Sequence, residues 1–580
     1  MEWKKKVWTI AFSLLLFVSF SWGQERALFE FNRSLGKGVN LGNVFEAPDE
    51  QAWGNPFKNE FIPKIKEAGF DHVRVPIRWD TQARCLLQSP YTITPSFLER
   101  IKLVVDLALQ NQLKVIINMH HHDDIFVNPA QVKPRFLAQW QQIAAYFKDY
   151  PKDVIFEVMN EPHDQLTPAL WNVYFADALT EIRKTNPNRV VLMGVAEFGG
   201  IGGLSKLVPP QDSNVIATIH YYNPFNFTHQ GAEWVGAQAN EWLGTPWNDL
   251  DAERAAVRQE FAAVKLFEQT YDIPIHIGEF GAYSKADQPS RLRWSTFMAR
   301  YIESLGYSWA YWEWSAGFGV YDPVTGAFKQ ELIDALVKNT LPDPTKTILT
   351  PIYESNFASS SGWSFFTSNG ASGTMGVGDN LLNINISKAG SAGWHAQLVR
   401  NGFSIYKGKM YKLSFEAKSN TKLPVSFYMG KASDPWNGYS GFSTVQLTNE
   451  YQEYSNIFTM TSPTDLAARM VFDLGSQAGD ATFRKVKLEE VTLDFSSNTQ
   501  TLNDDQVLLY PNPVNNQLVV AGLGSGLTKI DVLDQSGKLL LHRESTGDSI
   551  ELSVHSLPSG TYICRVVKGD RISNHRFIKQ

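Results

Sequence analysis

IFEVMNEPHD, residues 155–164, is an apolar run that turns polar abruptly. Its first residues have the β-propensity of a buried strand, and Asn160 and Glu161 follow at once. A carboxylate at the end of a buried strand is unfavourable unless it faces a cleft, so the stretch predicts a functional carboxyl group. Taken alone, it fits equally a glutamate that caps a helix starting at Pro162. The surrounding sequence separates the two interpretations.

Seven further apolar runs accompany this one, and amphipathic, helix-like segments lie between them. The eight runs are 38–43, 72–77, 114–120, 154–160, 190–195, 215–222, 273–281 and 308–314. Strands that alternate with helices predict parallel pairing, and eight such units in about 300 residues predict a (β/α)8 barrel. The predicted fold class is therefore α/β, with a TIM barrel over residues 24–340 and two all-β sandwich domains after it.

Polar side chains collect near the carboxyl ends of these runs. A barrel brings those ends together at one mouth, where active sites of this fold are built. Glu161 follows the fourth run and Glu279 lies in the seventh, so the two carboxyl groups are expected to face each other across the mouth. Such a pair suits cleavage of a glycosidic bond, in which one carboxyl protonates the leaving oxygen and the other attacks or activates water.

The two carboxyl groups must differ in pKa to divide that work. Arg74 and Tyr222 are expected to hydrogen-bond to Glu279 and to keep it ionised. Burial is expected to raise the pKa of Glu161, which makes it the acid.

Neighbouring residues are assigned to the substrate. Asn160 is expected to donate to a sugar 2-hydroxyl, and Trp312 to form the floor beneath the distorted ring. The 17 tryptophans, within an aromatic content of 13%, fit a protein that stacks on sugar rings. The net charge of −6 gives no indication of nucleic-acid binding.

The cluster HHHDD, residues 120–124, has the residue types of a metal site. Adjacent His120 and His121 are expected to point to opposite sides of a strand, which favours polar contacts with substrate over metal binding. We expect no metal and no other cofactor.

Residues 36–340 resemble glycoside hydrolase family 5, the cellulase superfamily. The resemblance rests on segments in order along the barrel: GVNLGNVFEAP, GFDHVRVPIRW, VIINMHHHDD, FEVMNEPH, TIHYYNPFNFTHQGAEWV, HIGEFGAY and WAYWEW. It implies that Glu161 is the acid/base and Glu279 the nucleophile. It assigns supporting roles to Arg74, His120, Asn160, His220 and Tyr222, and it places Asn43, Glu46, His121, Trp234 and Trp312 along the substrate groove.

The resemblance implies a retaining endo-β-1,4-glucanase, a cellulase, with carboxyl groups about 5–5.5 Å apart. An endo-β-1,4-mannanase, a glucomannanase or a dual-specificity enzyme is the alternative. Two other classes are a surface glycan-binding protein without activity and a metal-dependent hydrolase that uses the histidine cluster. His122 departs from the family, in which tyrosine is common there, and this puts a substrate contact at that position in doubt.

Residues 353–495 consist of short alternating runs, which predict an all-β sandwich between linkers at 341–352 and 496–505. They resemble a carbohydrate-binding module of the CenC type. The candidate sugar-stacking residues are Trp363, Trp394, Tyr428 and Trp436. The alternative is a spacer without sugar affinity.

The two ends of the chain carry export signals. Residues 1–23 have the basic start, the apolar run and the small residues of a signal peptide. Residues 506–580 resemble the C-terminal sorting domain of type IX secretion, through LYPNP, DQSGK and LPSGTYICRV. Together they imply a secreted or outer-surface protein exported by the type IX machinery.

Two cysteines, Cys85 and Cys564, predict no disulfide framework. The expected ligand is a β-1,4-linked polysaccharide: cellulose, lichenan, glucomannan or mannan. The protein is expected to be a monomer.

Overall fold

The computed structural model describes residues 27–495 and 507–580, except for 511–512, 522, 524–526, 535–537, 548 and 569–570. The predicted signal peptide at 1–23, the predicted linker at 496–505 and parts of the LYPNP and DQSGK motifs lie outside the described residues. Within those ranges, no helix has the length and apolar character needed to cross a membrane.

Eight parallel strands close into a barrel, which confirms the predicted fold class. The strands are β1 Lys37–Asn40, β2 His72–Val75, β3 Lys114–Asn118, β4 Val154–Glu157, β5 Val191–Gly194, β6 Val215–His220, β7 Ile275–Phe280 and β8 Ser308–Tyr311. Every residue in them is buried except the first residue of β1 and of β3. Continuous burial is what a parallel sheet enclosed by helices requires.

Helices follow most of the strands, and their apolar faces pack in one core with the barrel. They are α1 at 27–35, α2 Phe61–Glu67, α3 Pro95–Gln110, α4 Asp123–Val127, α5 Pro129–Tyr146, α6 Pro168–Arg183, α7 Phe225–Thr228, α8 Asp251–Tyr271, α9 Gln288–Ser304 and α10 Gln330–Val337. Short 3-10 helices lie at Ile201–Lys206, Glu233–Val235 and Ala237–Trp242, and a hairpin pairs β9 Tyr321–Asp322 with β10 Ala327–Phe328. Helix α6 starts after Thr167, whose hydroxyl accepts from Leu170 N, and has proline in its first turn.

The register between β6 and β7 shifts by one residue close to the mouth. Ile219 pairs with Ile277, but His220 pairs with Glu279, so Gly278 is the extra residue. A Cβ at Gly278 would lie 2.7 Å from the Thr218 hydroxyl, so only glycine fits there. Because a bulge re-aims the next side chain, Gly278 sets Glu279 beside His220.

A separate compact unit begins at Thr345 and contains two packed antiparallel sheets around one core. Its strands are β11 Lys346–Ser355, β12 Trp363–Thr367, β13 Ser372–Gly378, β14 Leu381–Lys388, β15 Ala396–Ile405, β16 Met410–Lys418, β17 Pro424–Gly430, β18 Ser443–Gln446, β19 Gln452–Thr459, β20 Asp465–Asp473 and β21 Gly479–Asp494. One sheet has the order β13-β14-β21-β16-β19 with β11 on β21, and the other β12-β15-β20-β17-β18.

The predicted linker at 341–352 is corrected by strand β11. From Lys346 onward this stretch pairs antiparallel with β21, and the register shifts between Pro351 and Tyr353. Pro351 has no N–H to donate, but a strand that borders the sheet tolerates proline at such an irregularity. The proline-rich composition of this stretch therefore led to the prediction of a linker where the structure has a strand.

The described part of the C-terminal region forms two small sheets around a core of its own. The strands are β22 Leu508–Tyr510, β23 Gln517–Ala521, β24 Thr528–Leu533, β25 Leu539–Ser545, β26 Ser549–Ser553, β27 Gly560–Lys568 and β28 Arg571–Lys579. Cys564 is buried on β27 and Cys85 is buried in the barrel domain, and both are free thiols.

Candidate active site

Arg74 on β2 is the centre of the polar network inside the barrel mouth, and it has no solvent-exposed surface. Its guanidinium donates to Glu157 through two bonds of 2.6 and 2.7 Å. It also donates to Asn40 Oδ1 at 2.7 Å, Asn160 Oδ1 at 2.8 Å and Glu279 Oε1 at 2.8 Å. A buried arginine with this many charge-assisted bonds is held in one orientation.

The sequence interpretation missed two of these partners, Asn40 and Glu157. Asn40 Nδ2 donates to the Gly278 carbonyl over 3.0 Å, which ties β1 to the bulge that carries Glu279. Glu157 compensates the buried charge of Arg74. The sequence contained a signal for this ion pair, since Arg74 and Glu157 are opposite charges within otherwise apolar strands. A buried charge needs a partner of opposite sign.

Glu279 receives two donors, as predicted. Arg74 holds Oε1, and the Tyr222 hydroxyl donates to Oε2 over 2.9 Å. Burial raises the pKa of Glu279, and the charges of His220 and Arg74 offset only part of that rise, so the net pKa lies above its usual value. Burial therefore opposes the predicted effect of Arg74 and Tyr222 on the ionisation of Glu279. Burial and the nearby carboxylate raise the pKa of Tyr222 well above its ordinary value, so its hydroxyl remains a donor.

Glu161 lies four residues beyond the end of β4, in a left-handed backbone conformation with φ of 45°. Its Oε1 is 2.7 Å from His220 Nδ1, and its side chain is 28% exposed. Burial raises the pKa of Glu161, but the hydrogen bond and charge of His220 outweigh burial, and the net pKa lies below its usual value. The expectation of a raised pKa was therefore wrong, because it left out His220.

His220 takes the opposite shift. Burial lowers its pKa, but Glu279 and Glu161 raise it further, and the net pKa lies above the ordinary value. His220 Nδ1 is also 3.5 Å from Glu279 Oε2, so the ring lies between the two carboxylates. The two opposite shifts share one cause, the contact between the imidazole and the carboxylates.

The two carboxyl groups are close. One oxygen of Glu161, one of Glu279 and a ring nitrogen of His220 all lie within 4.8 Å of one another. This spacing matches the short separation of retaining glycosidases, about 5–5.5 Å, and not the about 6.5–9.5 Å that leaves room for water in inverting ones. Because the Arg74 cation is bonded to Glu279, the trio is a poor place for a metal ion.

A cleft of about 550 Å³ opens above Glu279. Its lining includes Asn43, Glu46, His120, His121, Asn160, Trp234 and Trp312, so these predicted site residues lie together. His120 and Trp312 are stacked, with ring centroids 5.5 Å apart. The side-chain oxygen of Asn160 accepts from Arg74, which leaves the amide N–H groups of Asn160 for a ligand.

The structure corrects one expectation in this cleft and shows what the Glu46 carboxylate contacts. His120 and His121 both line it, because β3 ends at Asn118 and the strand alternation has stopped before them. Glu46 is buried, and its carboxylate accepts from the backbone N–H groups of Asn43 and Val44. It therefore orders the loop that carries Asn43. Burial raises the pKa of Glu46 to about 8.

His122, the departure from the family pattern, is fully buried beside Asp80 and does not line the cleft. The sequence interpretation also missed Trp53, His229, Tyr283 and Phe318, which line the cleft with the predicted residues. Three of them lie in loops without a periodic pattern, and His229 lies at the end of the four-residue helix α7, so sequence spacing gave no signal for them.

A second cavity, of about 1120 Å³, lies on the other side of Glu161. The two cavities share Glu161, Tyr222, His229 and Trp234, so they form one groove that passes over Glu161. Glu279 and Trp312 line only the smaller cavity.

The four candidate residues of the sandwich unit separate into two pairs. Trp394 and Trp436 are half-exposed, at 53% and 50%. Trp363 lies in the core, and Tyr428 is buried against Val399 and Val471. Trp363 is therefore corrected to a packing residue, because inward-facing aromatics of a sandwich fill its core. Tyr428 lies between the core residues Phe427 and Met429 and is buried in a separate cluster on the other face of its sheet.

The chain matches three protein families. Residues 34–317 match the cellulase family, glycosyl hydrolase family 5. Residues 351–481 match a carbohydrate-binding domain, and residues 508–580 match a secretion system C-terminal sorting domain, which indicates export.

Endoglucanase A of Clostridium longisporum is 30% identical over 366 residues, which cover 55% of this chain and 68% of that protein. The crystal structure of endoglucanase Cel5A from Thermotoga maritima is 46% identical, covers 53% of this chain and 99% of that one, and has a TM-score of 0.52. The chain belongs to glycosyl hydrolase family 5. A second relative, Endoglucanase H of Acetivibrio thermocellus, is 34% identical over 315 residues, which are 53% of this chain but only 33% of that protein.

Proposed function

We propose that this family 5 protein is a secreted, retaining endo-β-1,4-glucanase. The observation that carries the proposal is the carboxyl pair of Glu161 and Glu279, with oxygens within 4.8 Å of each other at the mouth of the barrel. The endoglucanase names of the relatives support glucan as the substrate and do not favour the mannanase alternative.

In the first step Glu279 attacks the anomeric carbon, and the glycosidic C–O bond breaks with its electron pair going to the leaving oxygen. That oxygen takes the proton of Glu161. The 2.7 Å contact between His220 Nδ1 and Glu161 Oε1 orients the acid/base carboxyl. Arg74 and Tyr222 orient the attacking carboxylate.

In the second step Glu161 removes a proton from water, and the water oxygen attacks the anomeric carbon of the glycosyl-enzyme. The Glu279 carboxylate leaves, and the configuration is retained. The amide of Asn160 donates to the sugar 2-hydroxyl in both steps. The polysaccharide binds in the groove, where it contacts Asn43, His120, His121, Trp234 and Trp312.

The proposal includes the other parts of the chain. The sandwich unit is a CenC-type module that binds glycan through Trp394 and Trp436. The C-terminal region directs type IX export, and the protein acts as a monomer that needs no metal.

The test is hydrolysis of carboxymethyl cellulose, lichenan, xyloglucan, glucomannan and galactomannan by the purified chain, with and without chelator dialysis. We expect fastest hydrolysis of a glucan, retention by proton NMR, and no effect of the chelator. Glu161→Ala and Glu279→Ala should each lose more than about 99% of the activity while keeping the wild-type Tm. Activity within tenfold of wild type in either variant, or inversion of configuration, would refute the assignment.

A further inference from the structure

A cavity of about 440 Å³ lies in the sandwich unit, and neither Trp394 nor Trp436 lines it. Strand β15 forms one wall of the cavity with residues 400–404. Strand β11 contributes two residues to another wall, and β21 contributes Glu490. Because β15 belongs to one sheet and β11 and β21 to the other, the cavity lies at an edge where the two sheets meet.

Three irregularities of strand pairing converge on this cavity. In β11 the register against β21 shifts at Ile352, which is an extra residue in the ladder. In β15 the register against β20 shifts at Gly402, whose φ is 94°, and again at Ser404. All three residues line the cavity. Because bulges re-aim neighbouring side chains and are common beside functional sites, this coincidence indicates that the strands are shaped around the cavity.

The ring of Tyr406 gives the cavity an exposed aromatic surface, since this residue lines the cavity and is 45% exposed. Its backbone is held in place, because Tyr406 N donates to the hydroxyl of the buried Tyr411 over 2.8 Å. Lys409 N donates to the Tyr406 carbonyl over 3.2 Å in the turn that follows. An exposed ring on a fixed backbone is a surface on which the C–H face of a sugar can stack.

Lys409 holds a carboxylate close to this ring. Its Nζ donates to both side-chain oxygens of Glu490, at 2.8 and 2.9 Å. The same ammonium lies over the Tyr406 ring, 5.5 Å from the centroid. Each carboxylate oxygen has a second acceptor position, which a sugar hydroxyl can use. A stacking surface and a hydrogen-bond acceptor therefore occur together in the cavity.

Tyr353 forms a rigid wall of the cavity. The Arg400 guanidinium lies 4.4 Å from the centroid of its ring, and Phe403 packs against it at 5.5 Å. Arg400 Nη1 donates to the Ser361 carbonyl over 2.7 Å. A Cβ at Gly362 would lie 2.2 Å from the same nitrogen, so a side chain there would displace the arginine. These contacts fix the shape of the wall before a ligand binds.

The charges and polar groups of the lining indicate an uncharged ligand that is rich in hydroxyl groups. Arg400 and Glu490 are the two charged lining residues, and their signs cancel. Asn401 and Ser404 add an amide and a hydroxyl group. A few polar groups beside aromatic rings are the usual lining of a small-molecule site. A neutral sugar, with polar edges and apolar C–H faces, matches this combination.

We propose that this cavity is a second saccharide-binding site of the sandwich unit, in which a neutral glucosyl unit stacks on Tyr406 and donates a hydroxyl hydrogen bond to Glu490. The glucosyl class of the ligand rests on the proposed function, whereas the cavity is independent of Trp394 and Trp436. A polysaccharide that occupies both sites of one unit is bound more tightly than a short saccharide, because the second contact is intramolecular.

The test is methyl NMR of the full chain, labelled at isoleucine, in a Glu279→Ala background that prevents hydrolysis of the probe. The probe is cellotetraose. Ile352 lines the cavity and is 42% exposed, so its methyl signal should shift on titration and report a Kd. Ile348 lies on the same strand, is 53% exposed and does not line the cavity, so its signal should stay in place.

Three variants test the role of the aromatic ring. Tyr406→Ala should raise the Kd reported by Ile352 at least about tenfold, and Tyr406→Phe should keep it within about twofold, because the ring remains. Tyr451→Ala is the matched control and should leave the Kd unchanged. Tyr451 also lies beneath a lysine, with Lys418 Nζ 4.9 Å from its centroid, but it does not line the cavity.

A double variant separates this site from the exposed tryptophans. Trp394→Ala/Trp436→Ala should leave the Kd reported by Ile352 within about twofold. If the Ile352 signal stays in place while retardation in a lichenan gel depends on the two tryptophans, only the second site is refuted. If the signal stays in place and the double variant leaves retardation unchanged, the sugar affinity of the whole unit is refuted. A Kd that Tyr406→Ala leaves unchanged, or that the double variant weakens equally, would also refute a separate site.

Discussion

Arg74 Nη1 donates to Glu279 Oε1 over 2.8 Å from a position without solvent exposure, while the same guanidinium holds Glu157 with two bonds. A buried carboxylate that loses such a partner becomes an uncompensated charge. The contact therefore serves the fold and the nucleophile at once.

Arg74→Met is expected to lower the free energy of unfolding by about 3–5 kcal/mol, because Glu157 stays buried without its cation. Chemical denaturation measures the change, and activity should be lost as well. Arg258→Met is the matched control, since its pair with Asp251 is exposed and such pairs contribute less than about 1 kcal/mol. Equal destabilisation by the two variants would contradict the role of Arg74.

Tyr222→Phe is expected to lower kcat/KM for dinitrophenyl β-cellobioside by about 10- to 100-fold without loss of stability. The variant removes the donor to Glu279 Oε2, so the anion is less favoured and the pKa of Glu279 rises. The acidic limb of the pH profile should therefore move to higher pH. An acidic limb that stays in place would show that Tyr222 does not support the carboxylate.

Glu161→Gln is expected to lower the pKa of His220. The pKa of His220 lies above its ordinary value because of the Glu279 and Glu161 carboxylates, and the variant removes one of these charges. The imidazole should then lose its proton at a lower pH, which ¹⁵N-histidine NMR titration measures. His72, whose Nδ1 contacts the Leu35 carbonyl, provides a reference signal that should not move, because neither Glu161 nor His220 contributes to the shift of its pKa. If the pKa of His220 stays constant, the Glu161 carboxylate does not influence the imidazole and the prediction is wrong.

Trp394→Ala and Trp436→Ala are each expected to weaken binding of the sandwich unit to soluble glucan by about tenfold. Affinity electrophoresis in a Glu279→Ala background measures this without hydrolysis of the gel polysaccharide. Trp363→Ala is the contrasting variant, because the ring lies in the core and its removal should destabilise the unit by about 3–5 kcal/mol. If both variants migrate like the parent protein in the polysaccharide gel, the sandwich unit is better explained as a spacer without sugar affinity.

Much of the barrel could be predicted because its signal is periodic. Each of the eight apolar runs contains or overlaps one strand of the closed barrel. The carboxyl pair could also be predicted, since Glu161 follows one such run and Glu279 lies near the carboxyl end of another. The partners of Arg74 inside the barrel were harder to predict. Asn40 and Glu157 meet it only through closure of strands far apart in sequence.

The pKa of Glu161 shows why the remainder could not be predicted. The sequence places Glu161 near a buried strand, which indicates desolvation, but the contact with His220 depends on the bulge at Gly278 and on the β6–β7 register. Among the sandwich aromatics, burial alone distinguishes Trp363 from Trp394.

The bonds that Arg74 makes to β1, β4 and β7 have a consequence for directed evolution. A library screened for heat resistance alone would be free to replace Arg74, Asn40 and Glu157 together with apolar residues, because exchange of a whole buried ion pair often stabilises a core. Here such a replacement would remove the arginine that orients the attacking carboxylate. Selection for robustness at these positions therefore has to be run with a turnover assay in the same round.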